Sequence, residues 1–141
     1  MVKIMKKILV GIMLLLSFSA SAEELKFIGL RAYDGDTIRT PIVALKGLPK
    51  LSIRVQGIDT PEIRGKCDSE KIQALKARDR LNQLLDGEVT VIPIEWDKYG
   101  GRFIAKVLDK DGRNVSDILI TEGLARPYQG EKKQPWCPVT Q

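Results

Sequence analysis

The hydrophobic and polar positions change period along the chain, and each change predicts an element. Leu25 to Tyr33 mixes apolar and polar residues as a first strand. Asp34-Gly35-Asp36 is a turn signal, and Thr37 to Arg39 resumes β-type residues, so the segment predicts a hairpin. Thr40 to Lys50 contains Pro41, Gly47 and Pro49 and predicts a loop. Leu51 to Ile58 alternates, with Leu51, Ile53 and Val55 on one face of a third strand. Asp59 to Ser69, with Pro61 and Gly65, predicts a second loop.

From Glu70 to Leu85 the period becomes helical. Ala74, Ala77, Leu81, Leu84 and Leu85 form one stripe, which Gly87 ends. Glu88 to Glu95 carries Val89, Val91, Ile92 and Ile94 as a fourth strand, where Pro93 predicts an edge or a bulge. Asp97 to Gly101 turns the chain into a fifth strand, Phe103 to Leu108. After the Asp111-Gly112 turn, Asn114 or Ser116 caps a short helix that runs to Glu122 and stops at Gly123. The tail, with Pro127, Pro135 and Pro138, reads as irregular. This order predicts a mainly β fold with helices: a five-stranded Greek-key barrel of the OB type, with a helix between strands 3 and 4 and a short C-terminal helix.

Residues 1–22 stand outside that pattern. Lys3, Lys6 and Lys7 precede a short apolar stretch, Ile8 to Leu16, and Ala20-Ser21-Ala22 has the small residues of a cleavage site. The stretch is too short to cross a bilayer comfortably, so a cleaved secretory signal is expected in preference to a retained anchor. The expected mature domain is residues 23–141, exported to the periplasm or beyond, monomeric, and without stable membrane association. Removing three lysines and no acid lowers the formal charge from +5 to +2, so charge placement matters more than charge total for a nucleic-acid partner.

Hydrophobic content of 43% and charged content of 29% suit one globular domain at this length of 141 residues. The chain has no histidine, which argues against a conventional zinc site and against imidazole bases. Its two cysteines, Cys67 and Cys137, predict a disulfide in an exported protein.

Three acidic clusters carry the candidate chemistry. Asp34 and Asp36 flank Gly35, Asp59 and Glu62 flank Thr60-Pro61, and Asp97 precedes Gly100-Gly101. Each alone is compatible with an ordinary turn. Together they say more, because barrel closure can bring Asp36 and Asp59 to one point. Two carboxylates there repel unless a positive group lies between them, and oxygen ligands suit Ca²⁺ or Mg²⁺. The Asp34-Gly35-Asp36-Thr37 spacing is not that of an EF-hand loop. Arg54 and Arg102 add planar forks that fit phosphate.

The ordered set Asp34-Gly35-Asp36-Thr37, Arg54, Ile58-Asp59-Thr60-Pro61-Glu62 and Asp97-Lys98-Tyr99-Gly100-Gly101-Arg102 resembles the staphylococcal (thermo)nuclease family. The resemblance runs from Tyr33 to about Pro127 and implies a Ca²⁺-dependent nuclease acting on DNA and/or RNA. It implies that Asp36, Asp59 and the Thr60 carbonyl hold Ca²⁺, with Asp34 in support. Glu62 is implied to orient or deprotonate the attacking water, and Arg54 and Arg102 to hold the phosphate. Lys98, Tyr99 and Tyr128 are implied to line the nucleotide pocket. The chain departs from the family's pattern at Gly101, which moves Arg102 one residue along. It departs also in a longer loop between Asp36 and Arg54, and in a short proline-rich tail. The competing expectation is a non-catalytic OB-fold module that binds nucleic acid by stacking and charge. Such a module has no use for three converging carboxylates.

Overall fold

The structure, a computed structural model, describes residues 23–40, 51–98 and 101–139. The expected signal over residues 1–22, the expected loop over 41–50 and the candidate Tyr99 lie outside the described residues. In chain order the elements are β1 (Leu25–Ile28), β2 (Arg31–Ala32), β3 (Thr37–Arg39), β4 (Ser52–Val55), β5 (Ile58–Asp59), α1 (Asp68–Leu84), β6 (Glu88–Trp96), β7 (Arg102–Leu108), α2 (Val115–Thr121) and β8 (Arg126–Pro127).

Six strands form one mixed sheet in the order β1-β6-β7-β4-β3-β2, with β4 and β7 parallel and the other pairs antiparallel. The strand count departs from the expected five because two predicted strands are each divided at a glycine and the tail, expected to be irregular, supplies β8. Gly29 takes a φ of +81°, so the first run becomes β1 on β6 and β2 on β3. A single segment thus supplies both ends of the sheet, which curls into a half-barrel. Gly57, at φ +83°, divides the third run into β4 and β5. The break lets β5 leave the sheet and pair with β8, Asp59 lying opposite Arg126. Mixed half-barrel and two helices together are consistent with an OB-like fold.

Alternation places Phe103, Ala105 and Val107 of β7 inward against Ile53 and Val55 of β4 and Val89 and Val91 of β6. The helical stripe of Ala74, Ala77, Leu81, Leu84 and Leu85 is buried as its spacing predicts. Burial of one such Leu, Ile or Val contributes about 1.5–3 kcal/mol. Pro93 sits in β6 beyond the last β1 partner, where its missing N–H breaks no ladder bond on that side. A register shift between Pro93 and Glu95 marks the expected irregularity, on a stretch of β6 that β1 does not cover. Asn114, not Ser116, caps α2, accepting from the Ser116 amide at 3.0 Å.

Candidate active site

The turn between β2 and β3 aims two carboxylates into one cleft. Asp34 accepts the Asp36 amide at 3.1 Å, which folds the turn on itself. Gly35 lets that turn sit directly on α1. A Cβ there would lie 2.7 Å from both the Ala77 Cβ and the Thr60 Cγ2, too close for any other residue. Asp36 is then gripped from three directions. Arg54 Nη1 stands 2.6 Å from its Oδ2, the Thr60 amide donates to the same oxygen at 3.0 Å, and the Thr37 hydroxyl reaches Oδ1 at 3.2 Å. Arg54 also donates through Nη2 to the Ile58 carbonyl at 3.0 Å, which fixes the fork.

The end of β5 and the loop after it bring the second pair. Asp59 is buried, and Glu62 stands more open at the mouth. Behind them Glu70, buried in the first turn of α1, accepts the amides of Glu62 and Lys66 at 3.1 and 3.0 Å. Gly65 permits this, since a Cβ there would fall 2.6 Å from the Glu70 carboxyl carbon. Glu70 is therefore the clamp that shapes the Glu62 loop.

Crowding of carboxylates sets the electrostatics. The Asp34 carboxyl is pushed up to about 7, first by burial and then by the Asp36 charge. Burial also pushes Asp36 upward, but the Arg54 charge and the hydrogen bonds from Asp34, Arg54 and Thr60 outweigh it and hold Asp36 below the usual range. Glu62 is raised, by burial first and by Asp36 next, against the pull of Lys133.

A cleft of about 240 Å³ joins Asp34, Asp36, Arg54, Glu62, Arg102 and Lys133. The extra Gly101, at φ +70°, does not turn Arg102 away from it. Arg102 is braced by Asp97, Nε to Oδ2 at 2.7 Å. A larger neighbouring cleft of about 630 Å³ carries Lys98 and Tyr128 beside Arg54 and Arg102. The Arg54 guanidinium lies 5.9 Å from the Tyr128 ring centre.

The donor set fits a hard divalent cation. The chain has no histidine, and Cys67 and Cys137 are joined as a disulfide, leaving oxygen donors alone at the site. Thr60, buried next to Asp59 in the chain and bonded through its amide to Asp36, has a hydroxyl without a partner among the described residues.

The tail, which reads as irregular in the sequence, contributes residues that pattern reading misses. Lys133 Nζ lies 3.3 Å from Asp59 Oδ1 and 3.9 Å from Glu62 Oε1, and Trp136 Nε1 donates to Asp59 Oδ2 at 3.0 Å. The signal available in the sequence is the cluster Lys132-Lys133-Gln134-Pro135-Trp136 directly before Cys137.

Residues 52–136 match the family described as Staphylococcal nuclease homologue. A protein of Escherichia coli O157:H7 named "Uncharacterized endonuclease" is 30% identical over 113 residues, covering 79% of this chain and 67% of that protein. An Escherichia coli protein of the same name matches to the same extent.

Proposed function

The chain belongs to the staphylococcal nuclease homologue family, and from that premise we propose a Ca²⁺-dependent nuclease that hydrolyses phosphodiester bonds of DNA and/or RNA by water attack. The observation that carries the reading is the convergence of Asp36, Arg54 and Glu62, from three separate segments, around one cleft, with Asp59 close enough for its charge to raise Glu62. A nucleic-acid-binding module would not gather carboxylates where phosphates must approach.

In this reading Asp36, Asp59 and the Thr60 carbonyl hold the cation, and Asp34 keeps the Asp36 turn in place. Bound Ca²⁺ supplies Lewis-acid polarisation of the phosphate and a template for the nucleophile. Glu62 orients the water and accepts its proton, a task that suits a carboxyl raised above its ordinary value. Arg54 spends one donor on Asp36 and one on Ile58, and Arg102 spends Nε on Asp97. Each guanidinium keeps further N–H groups for the phosphate oxygens, where negative charge grows as water's oxygen adds and the ester bond breaks. Lys98, Tyr99 and Tyr128 hold the adjoining nucleotide. In the same proposal residues 1–22 are an export signal, the half-barrel is the five-stranded Greek-key type with β1 and β2 counted as one strand, and the protein works as a monomer outside the cytoplasm. The disulfide suits such an oxidising compartment.

Asp36→Ala tests the assignment. It is expected to lose Ca²⁺ binding and cleavage together while far-ultraviolet circular dichroism keeps its native shape. Retained cleavage of both DNA and RNA contradicts the role given to Asp36.

A further inference from the structure

Asp36 and Asp59 are held by different means. Asp36 is fixed from within the sheet and its adjoining loop, by Arg54, Thr37 and the Thr60 amide. Asp59 sits at the end of a two-residue strand, and the side chains that meet its carboxylate come from the tail. We propose that Trp136 is a positioning residue for Asp59, fixing that carboxylate through its indole N–H at Oδ2 so that Oδ1, which meets Lys133, is presented to a cation that takes the lysine's place. The inference rests on the reading of Asp59 as a metal ligand.

The chemistry of the indole suits the task. Its Nε1–H is a donor only and carries no charge. It therefore orients Oδ2 without competing electrostatically with a cation at Oδ1, which lysine or arginine at the same place would do. Oδ1 instead faces the half-exposed Lys133, a cation that a metal can displace.

Trp136 is itself held on several sides. The Arg126 guanidinium lies 3.7 Å from its ring centre. Arg126 Nη1 donates to the carbonyls of Gln134 and Pro135, at 3.4 and 3.0 Å, and so sets the backbone that delivers the ring. Arg126 is also the ladder partner of Asp59 across β5 and β8. The path Asp59 to Trp136 to Arg126 thus closes on the strand pair that carries Asp59. The next residue, Cys137, is bonded to Cys67, which anchors the strap at the entrance to α1. An aromatic ring merely filling space would need neither the N–H contact nor this bracing. Partners that orient a metal ligand are typically worth about 10–100-fold in metal affinity.

Trp136→Phe keeps an aromatic ring on Arg126 and removes the N–H. Calorimetric Ca²⁺ titration of the full mature chain is expected to show binding weakened by about 10–100-fold, and the Ca²⁺ concentration for half-maximal cleavage is expected to rise by the same factor. The chain has two tryptophans, so a wild-type ¹H–¹⁵N spectrum offers two indole signals, assigned by Trp96→Phe. The Trp136 signal should shift on Ca²⁺ addition. That measurement decides the matter should the Phe variant fail to fold. Unchanged Ca²⁺ affinity in a folded Phe variant, or a Trp136 indole signal indifferent to Ca²⁺, overturns the positioning role alone. A wild-type chain that binds no Ca²⁺ overturns the metal-site reading beneath it.

Discussion

Arg54 of β4 and Asp36, in the turn that enters β3, meet at 2.6 Å, and the backbone repeats the link, with the Val55 amide donating to the Asp36 carbonyl at 2.9 Å. The proposed phosphate-holding arm and a proposed metal ligand are therefore one mechanical unit. Lysine at position 54 keeps the charge but cannot contact Asp36, the Ile58 carbonyl and a phosphate with one planar fork. Arg54→Lys should lower single-turnover cleavage at saturating Ca²⁺ by roughly 10²–10³. A rate within threefold of wild type contradicts the role.

Glu62→Gln should lower turnover by about 10²–10⁴ while substrate affinity changes little, because proton acceptance matters only in the transition state. Wild-type cleavage should also decline as pH falls and protonates a carboxyl that burial and Asp36 hold above its ordinary value. Stopped assays across pH, with metal kept saturating, check both statements. A Gln variant with the wild-type rate removes Glu62 from the mechanism.

Asp34 links stability to pH in the absence of metal. Its folded-state value, about 7, exceeds the ordinary 3.8, so between these values the folded chain retains a proton that the unfolded chain has released. The contribution of Asp34 is then full below its unfolded value and is lost as pH rises through the folded one. Asp36, held low, acts in the opposite sense in a more acidic window. Asp34→Asn mimics the protonated form and keeps an oxygen for the Asp36 amide. In chelator its Tm advantage over wild type should grow from about pH 5 to about pH 8, and Ca²⁺ should shrink it. Differential scanning fluorimetry reads the outcome, and a gap that does not vary with pH contradicts it.

The Cys67–Cys137 bond spans 70 positions, so loop entropy alone assigns it about 4 kcal/mol as an upper figure. Urea unfolding of the Cys67→Ser/Cys137→Ser variant should show a lower midpoint than the oxidised wild type. Equal midpoints would mean that the tail is anchored by its polar contacts without the bridge.

The parts of the site that read from the sequence are those whose information is local. Asp34-Gly35-Asp36 declares a turn, Arg54 lies on an alternating strand, and Asp59 and Glu62 frame a proline loop. The helical stripe from Ala74 to Leu85 likewise needs only its spacing. Gly29 and Gly57 divide strands that hydrophobic alternation runs straight through, since periodicity carries no record of φ. Glu70 reads as the start of a helix, and its place beneath Gly65 exists only in three dimensions. The strap escapes pattern reading for a related reason: it has no apolar stripe. Its order comes from one disulfide, the Arg126 stack on Trp136 and a hydrogen bond across 77 positions. Tyr99 and residues 1–22 lie outside the described residues.

The proposed activity of this cleft is hydrolysis of nucleic acid with the help of Ca²⁺. The direct measurement incubates purified mature protein with end-labelled linear DNA and, separately, RNA, in Ca²⁺ and in excess chelator, and follows fragments by denaturing electrophoresis. Fragments from at least one polymer are expected in Ca²⁺ and none in chelator. Undiminished cleavage in chelator, or intact DNA and RNA after prolonged incubation with Ca²⁺, would contradict it.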